Sequence, residues 1–159
     1  MPDKIIIYTD GAALGNPGPG GYGAVMMFGP HRKELSQGFK LTTNNRMELL
    51  AVIVALSNIK DKSIPIEVYT DSQYVCNAIE KKWLFGWHKK GYAKIKNPDL
   101  WKQFYIIYHQ FNIRFIWVKG HAGIKENERC DVLATTAAKE NPTSVDSFYE
   151  QSQNESTLL

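Results

Sequence analysis

Four carboxylates and one histidine in this chain have the residue types of a metal-dependent hydrolytic site. Asp10 follows the apolar run IIIYT, Glu48 opens the apolar run of NRMELLAVIVAL, and Asp71 follows IPIEVYT. Asp131 lies in NERCDVLA, and His121 lies in the glycine-flanked stretch KGHAG. Each acid also has a plainer reading. Asp10 could fold back on its own turn, and Asp71 could cap a following helix. Glu48 stands three residues after Asn45, as in a capping box, and Asp131 could be a solvent-facing helical acid near Arg129. Gathered at one place, the four would repel one another, and a cation would be needed to make the cluster tolerable. All-oxygen ligands with room for water suit Mg²⁺ or Mn²⁺. A histidine in a flexible loop beside them could move protons near neutral pH.

Whether these groups meet depends on the elements that carry them. KIIIYT (4–9), YGAVMMF (22–28) and ELSQGFKL (34–41) have the β-branched and alternating character of strands joined as a meander. MELLAVIVALSNI (47–59) is apolar nearly all round, which marks a helix buried on most sides. IPIEVYT (64–70) and NIRFIWVK (112–119) read as further strands; SQYVCNAIEKKW (72–83), DLWKQFYIIYHQF (99–111) and ENERCDVLATTAAKE (126–140) read as helices. This order specifies an α/β fold with a mixed sheet, in which a meander is followed by strands reached through helical crossovers. The first and fourth strands are then parallel, and their carboxyl ends, Asp10 and Asp71, share one edge. The buried helix starts at that edge with Glu48 in its first turn. A parallel fifth strand would deliver His121 there, and the last helix would bring Asp131. Open α/β sheets place their sites at this edge.

Composition narrows the partner. The chain has 159 residues and a formal net charge of +3, with 43% hydrophobic residues, which is ordinary for one globular domain. No apolar run is long enough for a membrane span. Cys76 and Cys130 lack zinc-like spacing and read as reduced packing residues of a cytosolic protein. Residues 81–102 hold seven lysines against the single acid Asp99, interleaved with Trp83, Trp87, Tyr92 and Trp101. Lysines for phosphates and rings for sugars or bases are the pattern of a nucleic-acid surface. From Glu140 onward there are four acids and no Lys or Arg, and this polar segment is expected to be a disordered tail. GPGGYG (18–23) satisfies the spacing G-x-G-x-x-G, but a strand rather than a helix follows it, so a dinucleotide site is excluded. A loop that lets backbone approach a polyanion, or a plain turn, remains.

Six segments in order, TDGAALGNPGPGGYGAV, TTNNRMELLAVIVAL, VYTDSQYV, WLFGWHKKGY, WVKGHAG and NERCDVLA, resemble bacterial type I ribonuclease H over residues 4–139. The resemblance implies a ribonuclease H-like fold with a five-stranded mixed sheet flanked by helices. It implies an endonuclease that cuts the RNA strand of RNA–DNA hybrids by a two-metal-ion mechanism, leaving 5′-phosphate and 3′-hydroxyl ends. Asp10, Glu48, Asp71 and Asp131 match the metal-binding carboxylates, with Mg²⁺ (or Mn²⁺) as cofactor and two ions in the substrate complex. His121 matches a mobile histidine that assists proton traffic or product release. Asn16, Asn44, Asn45 and Gln73 match residues that read the hybrid's minor groove, and Gly11 joins this substrate face. Thr43 and Asn97 match a pocket for a DNA phosphate. Trp83 matches a ring against DNA sugars, and Trp87, Lys89 and Lys90 belong to the substrate-gripping protrusion. Between Tyr92 and Asn97 only AKIK intervenes, shorter than in the best-known members. Met1 opens almost directly on the first strand, as expected of a free-standing enzyme; the enzyme is also expected to be monomeric and cytoplasmic. Residues 1–140 form the expected catalytic domain and 141–159 the tail. Resolvase-like and integrase-like transferases share such a carboxylate edge but would cut DNA duplexes.

Overall fold

The computed structural model describes residues 3–158, and side chains as far as residue 154. Five strands form one sheet in the order β3-β2-β1-β4-β5. β1 (Ile5–Ala13), β2 (Gly18–Phe28) and β3 (His31–Thr42) make the antiparallel meander, while β4 (Ile66–Thr70) and β5 (Ile113–Trp117) run parallel to β1. α1 (Asn44–Ser57) crosses from the meander to β4. α2 (Gln73–Glu80), α3 (Trp83–Lys89) and α4 (Pro98–Tyr108) fill the crossover to β5, and α5 (Lys125–Glu140) and α6 (Ser147–Leu158) follow.

α1 is apolar on every side because it is enclosed: Met47, Leu49, Ala51, Val52, Ile53, Ala55 and Leu56 are all buried. It packs on β1 with Ile5, Ile7, Ile66 and Val68 beneath it, and α4 supplies Leu100, Trp101 and Phe104 from the side. The basic segment is therefore not a detached loop. Its α3 turn is rooted by buried Leu84 and by Trp87 against Trp101, at 5.2 Å between ring centroids.

Two sequence expectations change here. GPGGYG is not a loop but the first half of β2, paired with both β1 and β3. Two of its glycines, Gly21 and Gly23, serve close packing of α5 on the sheet. A Cβ on Gly23 would stand 2.5 Å from the Cys130 carbonyl oxygen, and one on Gly21 would stand 2.5 Å from that of Ala134. The second change is the tail. Instead of disorder, Ser144 pairs with the edge strand β3, its N–H donating to the Gly38 carbonyl and its carbonyl accepting from the Lys40 N–H. Asp146 is buried, accepts 2.7 Å bonds from Arg46 Nε and Thr42 Oγ1, and is followed directly by α6. Arg46 is only 2% exposed. Its fork also reaches Asp99 of α4 through Nη1 at 2.9 Å and Nη2 at 2.7 Å, so two acids neutralise one buried guanidinium. Composition favoured a solvated tail, but one buried ion pair fixes it at its root.

Asp146→Asn removes one of those two charges and is expected to cost about 1–3 kcal/mol, read as a lower urea midpoint. An unchanged midpoint would mean that α6 is not anchored this way. Gly23→Ala is expected to lift α5 and destabilise the fold by about 1–3 kcal/mol. It should also slow any reaction that depends on Asp131, and a crystal structure with α5 unmoved would contradict this.

Candidate active site

Pairing of β1 with β4 ends at Thr9 and Thr70, which lie side by side with Trp117 of β5 as the next neighbour. Asp10 and Asp71 are each one residue beyond that level. β1 itself continues to Ala13, so Asp10 is not its last residue; it stands where the parallel partner stops. Asp71 is set by bonds on both sides of it. The Trp117 indole N–H donates to its carbonyl at 3.1 Å, and the Ser72 N–H donates to Thr70 Oγ1.

Glu48 arrives from α1. Gly11 makes this approach possible, since a Cβ there would collide with the Glu48 backbone nitrogen and with Met47. Neither capping role considered for these acids is used. Thr43 caps α1 by accepting from the Arg46 N–H, and Ser72 caps α2 by accepting from the Val75 N–H. Asp10, Glu48 and Asp71 each place one carboxylate oxygen within 4.8 Å of the other two. Asp131, in the second turn of α5, interacts electrostatically with Asp10 and Asp71.

The electrostatics follow from that crowding. Burial, then the charge of Asp71, raises the Asp10 pKa from 3.8 to about 8. Burial, then the charge of Asp10, holds Glu48 well above the ordinary carboxylate range. Burial also raises Asp71, against a lowering influence from His121. Glu48 Oε2 is buried without any hydrogen-bond partner. An orphaned carboxylate oxygen among like charges is what a bound cation would satisfy, and an all-oxygen donor set fits a hard divalent ion.

The other expected residues surround this edge. His121 is exposed in the loop between β5 and α5, with a left-handed backbone at φ 56°. Gly120 beside it lies so near Asp71 that a Cβ would stand 2.7 Å from the carboxylate. Asn16 and Asn44 tie the β1–β2 turn to α1: the Asn44 N–H donates to Asn16 Oδ1, and the Ala13 N–H donates to Asn44 Oδ1. Asn45 and Gln73 are exposed at the starts of α1 and α2. Asn97 adopts a left-handed conformation before α4, accepts from Arg46 Nη1 at 3.2 Å and donates to the Tyr74 hydroxyl at 3.0 Å. Trp83 is half-exposed with the Lys81 ammonium over its ring, and Lys89 and Lys90 are exposed. Trp87 differs, because it is wedged between Trp83 and Trp101 and supports the surface from below.

Sequence reasoning passed over Arg46, Tyr74 and Asp146. Asp99 was the available signal: a lone acid in a lysine-rich segment implies a specific cationic partner, and Arg46 is that partner.

A family model described as RNase H matches residues 2–139. The chain belongs to the ribonuclease H family. The ribonuclease H of Desulforamulus reducens is 57% identical over 142 residues, covering 86% of this chain and 89% of that one. Among solved structures, LC9-RNase H1, a type 1 RNase H with the type 2 active-site motif, superposes with a TM-score of 0.77 at 30% identity, covering 87% of this chain and 73% of that one. LC11-RNase H1 in complex with an RNA/DNA hybrid has a TM-score of 0.64 at 30% identity, covering 88% of this chain and all of that one. Ribonucleases H depend on divalent metals, and the acid cluster of this one supplies ligands of the right kind.

A raised Asp10 pKa has a definite sign in folding. The folded chain binds this proton more tightly than the unfolded one, so its stabilising contribution is complete below about pH 4 and is lost as pH rises toward about 8. In chelator at neutral pH, Asp10→Asn is therefore expected to raise Tm by a few degrees, with the advantage shrinking on acidification. Equal Tm values for variant and wild type across this range would contradict the crowding.

Proposed function

We propose that this ribonuclease H is an endonuclease that hydrolyses the RNA strand of RNA–DNA hybrids, leaving 5′-phosphate and 3′-hydroxyl ends. The observation that carries the reading is the three-acid cluster, with its orphaned Glu48 oxygen, at the carboxyl end of the parallel strands. Beside it lie an amide-lined face and a lysine–tryptophan surface.

Asp10, Glu48, Asp71 and Asp131 would hold divalent cations, Mg²⁺ with Mn²⁺ able to replace it and two ions when substrate is bound. Such ions supply an activated water and charge for the departing 3′ oxygen. The carboxylates are ligands and not nucleophiles. Asp10 would serve as the central ligand, since it clusters within 4.8 Å with Glu48 and Asp71 and also interacts with Asp131. His121, exposed on a glycine-flanked loop over Asp71, takes and returns protons at the same edge.

Asn16, Asn44, Asn45 and Gln73 offer amide groups to the minor groove, where the 2′-hydroxyl identifies RNA as donor and acceptor. In Asn16 and Asn44 the amide oxygen is engaged internally, which orients the NH₂ group outward as the donor. Gly11, lacking a side chain, lets the start of α1 with Asn44 and Asn45 lie close to β1 at that face. The Thr43 oxygen accepts from the Arg46 N–H, so its own hydrogen is directed to a phosphate that Asn97 shares. Trp83 meets the DNA sugars, and Lys89 and Lys90 meet phosphates, on a surface seated by Trp87. No helix among the described residues is long and apolar enough to cross a membrane. Two buried, unbridged cysteines suit a reducing cytoplasm, where the enzyme acts as a monomer.

The test is cleavage of a labelled RNA–DNA hybrid in Mg²⁺ and in Mn²⁺, beside matched RNA and DNA duplexes and a chelated control. Metal-dependent cuts confined to the RNA of the hybrid are expected. Asp10→Asn should lower kcat by at least about 10³-fold, roughly 4 kcal/mol of transition-state stabilisation, while hybrid affinity changes little. Near-normal cleavage by this variant would sink the assignment.

A further inference from the structure

A cleft of about 510 Å³ opens next to the amide-lined face. One wall is the start of α1 and α4, with Thr43, Arg46 and Asn97; the opposite wall is α6, with Phe148, Tyr149, Ser152 and Gln153. The segment expected to be a loose tail thus closes a site that already holds the assigned phosphate position. Three observations indicate what the second wall is for. First, it is built rigidly: the Asp146–Arg46 pair and the Ser144 pairing with β3 fix the root of α6. Second, although the segment from Glu140 is acidic, no Asp or Glu lines the cleft among the described residues, whereas Lys96 does, beside an Arg46 whose charge is already met by Asp99 and Asp146. Third, Phe148 stays 44% exposed at the cleft, its ring 5.5 Å below the Arg46 guanidinium carbon. A ring held open beside cations and hydrogen-bond donors suits a ligand with alternating apolar and anionic parts. A sugar–phosphate backbone has that character.

Resting on the function proposed above, we propose that α6 is a wall of the channel for the DNA strand. Phe148 and Tyr149 lie against the deoxyribose next to the phosphate held by Thr43 and Asn97, and position 153 faces the adjoining phosphate. Asn16 and Asn45 line the same cleft, so the channel is continuous with the minor-groove face. A ribose at this position would turn a hydroxyl toward a ring that cannot bond it, so α6 adds selectivity for DNA in the uncut strand.

Charge placed at the α6 wall tests this without disturbing its buried root. Gln153→Lys is expected to lower KM about threefold and to steepen the log–log salt dependence of binding by about one. Gln153→Glu should raise KM by a similar factor, with kcat unchanged in both. A single methylphosphonate walked along the DNA strand should erase the lysine gain at one or two adjacent positions, next to the position at which Thr43→Ala is insensitive to neutralisation. Phe148→Leu, which keeps bulk over Arg46, should raise KM more than twofold and reduce the penalty for one ribonucleotide placed in the DNA strand at that sugar. If the wild type cuts hybrids but both charge variants keep the same KM, or the lysine gain is equal at every position, α6 is only a structural closure and the proposal is overturned. If the wild type cuts no hybrid, the functional reading itself fails, and this proposal with it.

Discussion

Carboxylates held within 4.8 Å of one another in a partly buried edge are an electrostatic debt that the protein cannot settle from its own side chains. Mutual repulsion in a medium of lowered dielectric is large enough to keep protons on acids that would ionise freely in water. Among the described residues no lysine or arginine is bonded into this cluster, and one Glu48 oxygen is left without any partner. The fold must therefore force the acids together by means other than charge. Backbone register does this for Asp10 and Asp71, which follow the paired Thr9 and Thr70 on adjacent parallel strands. Missing side chains do it for the helices: Gly11 admits α1 and Gly21 and Gly23 admit α5, each at a separation that a single Cβ would prevent. The glycines thus convert packing energy in the core into proximity at the edge.

Arg46 is the mirror image of that arrangement. A single buried guanidinium is met by Asp99 and Asp146, so its desolvation is offset within the chain, and the hydrogen bonds to both acids hold it firmly charged. Such a pair contributes definition more than net stability, because removing either partner strands a buried charge. Here the definition is topological. Asp99 starts α4, Asp146 precedes α6, and Arg46 belongs to the first turn of α1. Three segments distant in sequence meet at one planar group that also bonds Asn97 and faces the Phe148 ring at the mouth of a cleft.

The sheet and the acid cluster were legible because they rest on local signals that read directly as geometry. Apolar runs such as IIIYT and IEVYT become strands, and counting their directions puts Asp10 and Asp71 at one edge before any side chain is placed. The rest was hidden for physical reasons. Glycines 18–23 carry the composition of a turn, and only the carbonyls of Cys130 and Ala134 pressing on them show that small size, not flexibility, is what the site requires. The 141–154 segment is polar enough to be read as disordered; its order derives from two backbone bonds to β3 and one ion pair, all between residues about 100 positions apart or more. Trp83 and Trp87 look equivalent in sequence, yet burial against Trp101 makes one a support and leaves the other exposed.

The two electrostatic centres are linked by one helical turn. Residues two apart on an α-helix project about 200° from each other, so Glu48 and Arg46 leave α1 on nearly opposite sides. Glu48 joins the acids at the sheet edge, and Arg46 turns to the cleft shared by Thr43, Asn97 and α6. The Thr43 cap fixes the start of the helix and with it the phase of both side chains. One side of α1 gathers anionic ligands that require a cation before a phosphate can approach; the other holds a guanidinium already met by Asp99 and Asp146, so that in the proposed complex a phosphate there would be met by Thr43 and Asn97. A double helix with one strand at each place must match this fixed separation across its minor groove. On the function proposed, strand identity would be decided by position, with amides facing one side of the groove and the aromatic residues of α6 the other.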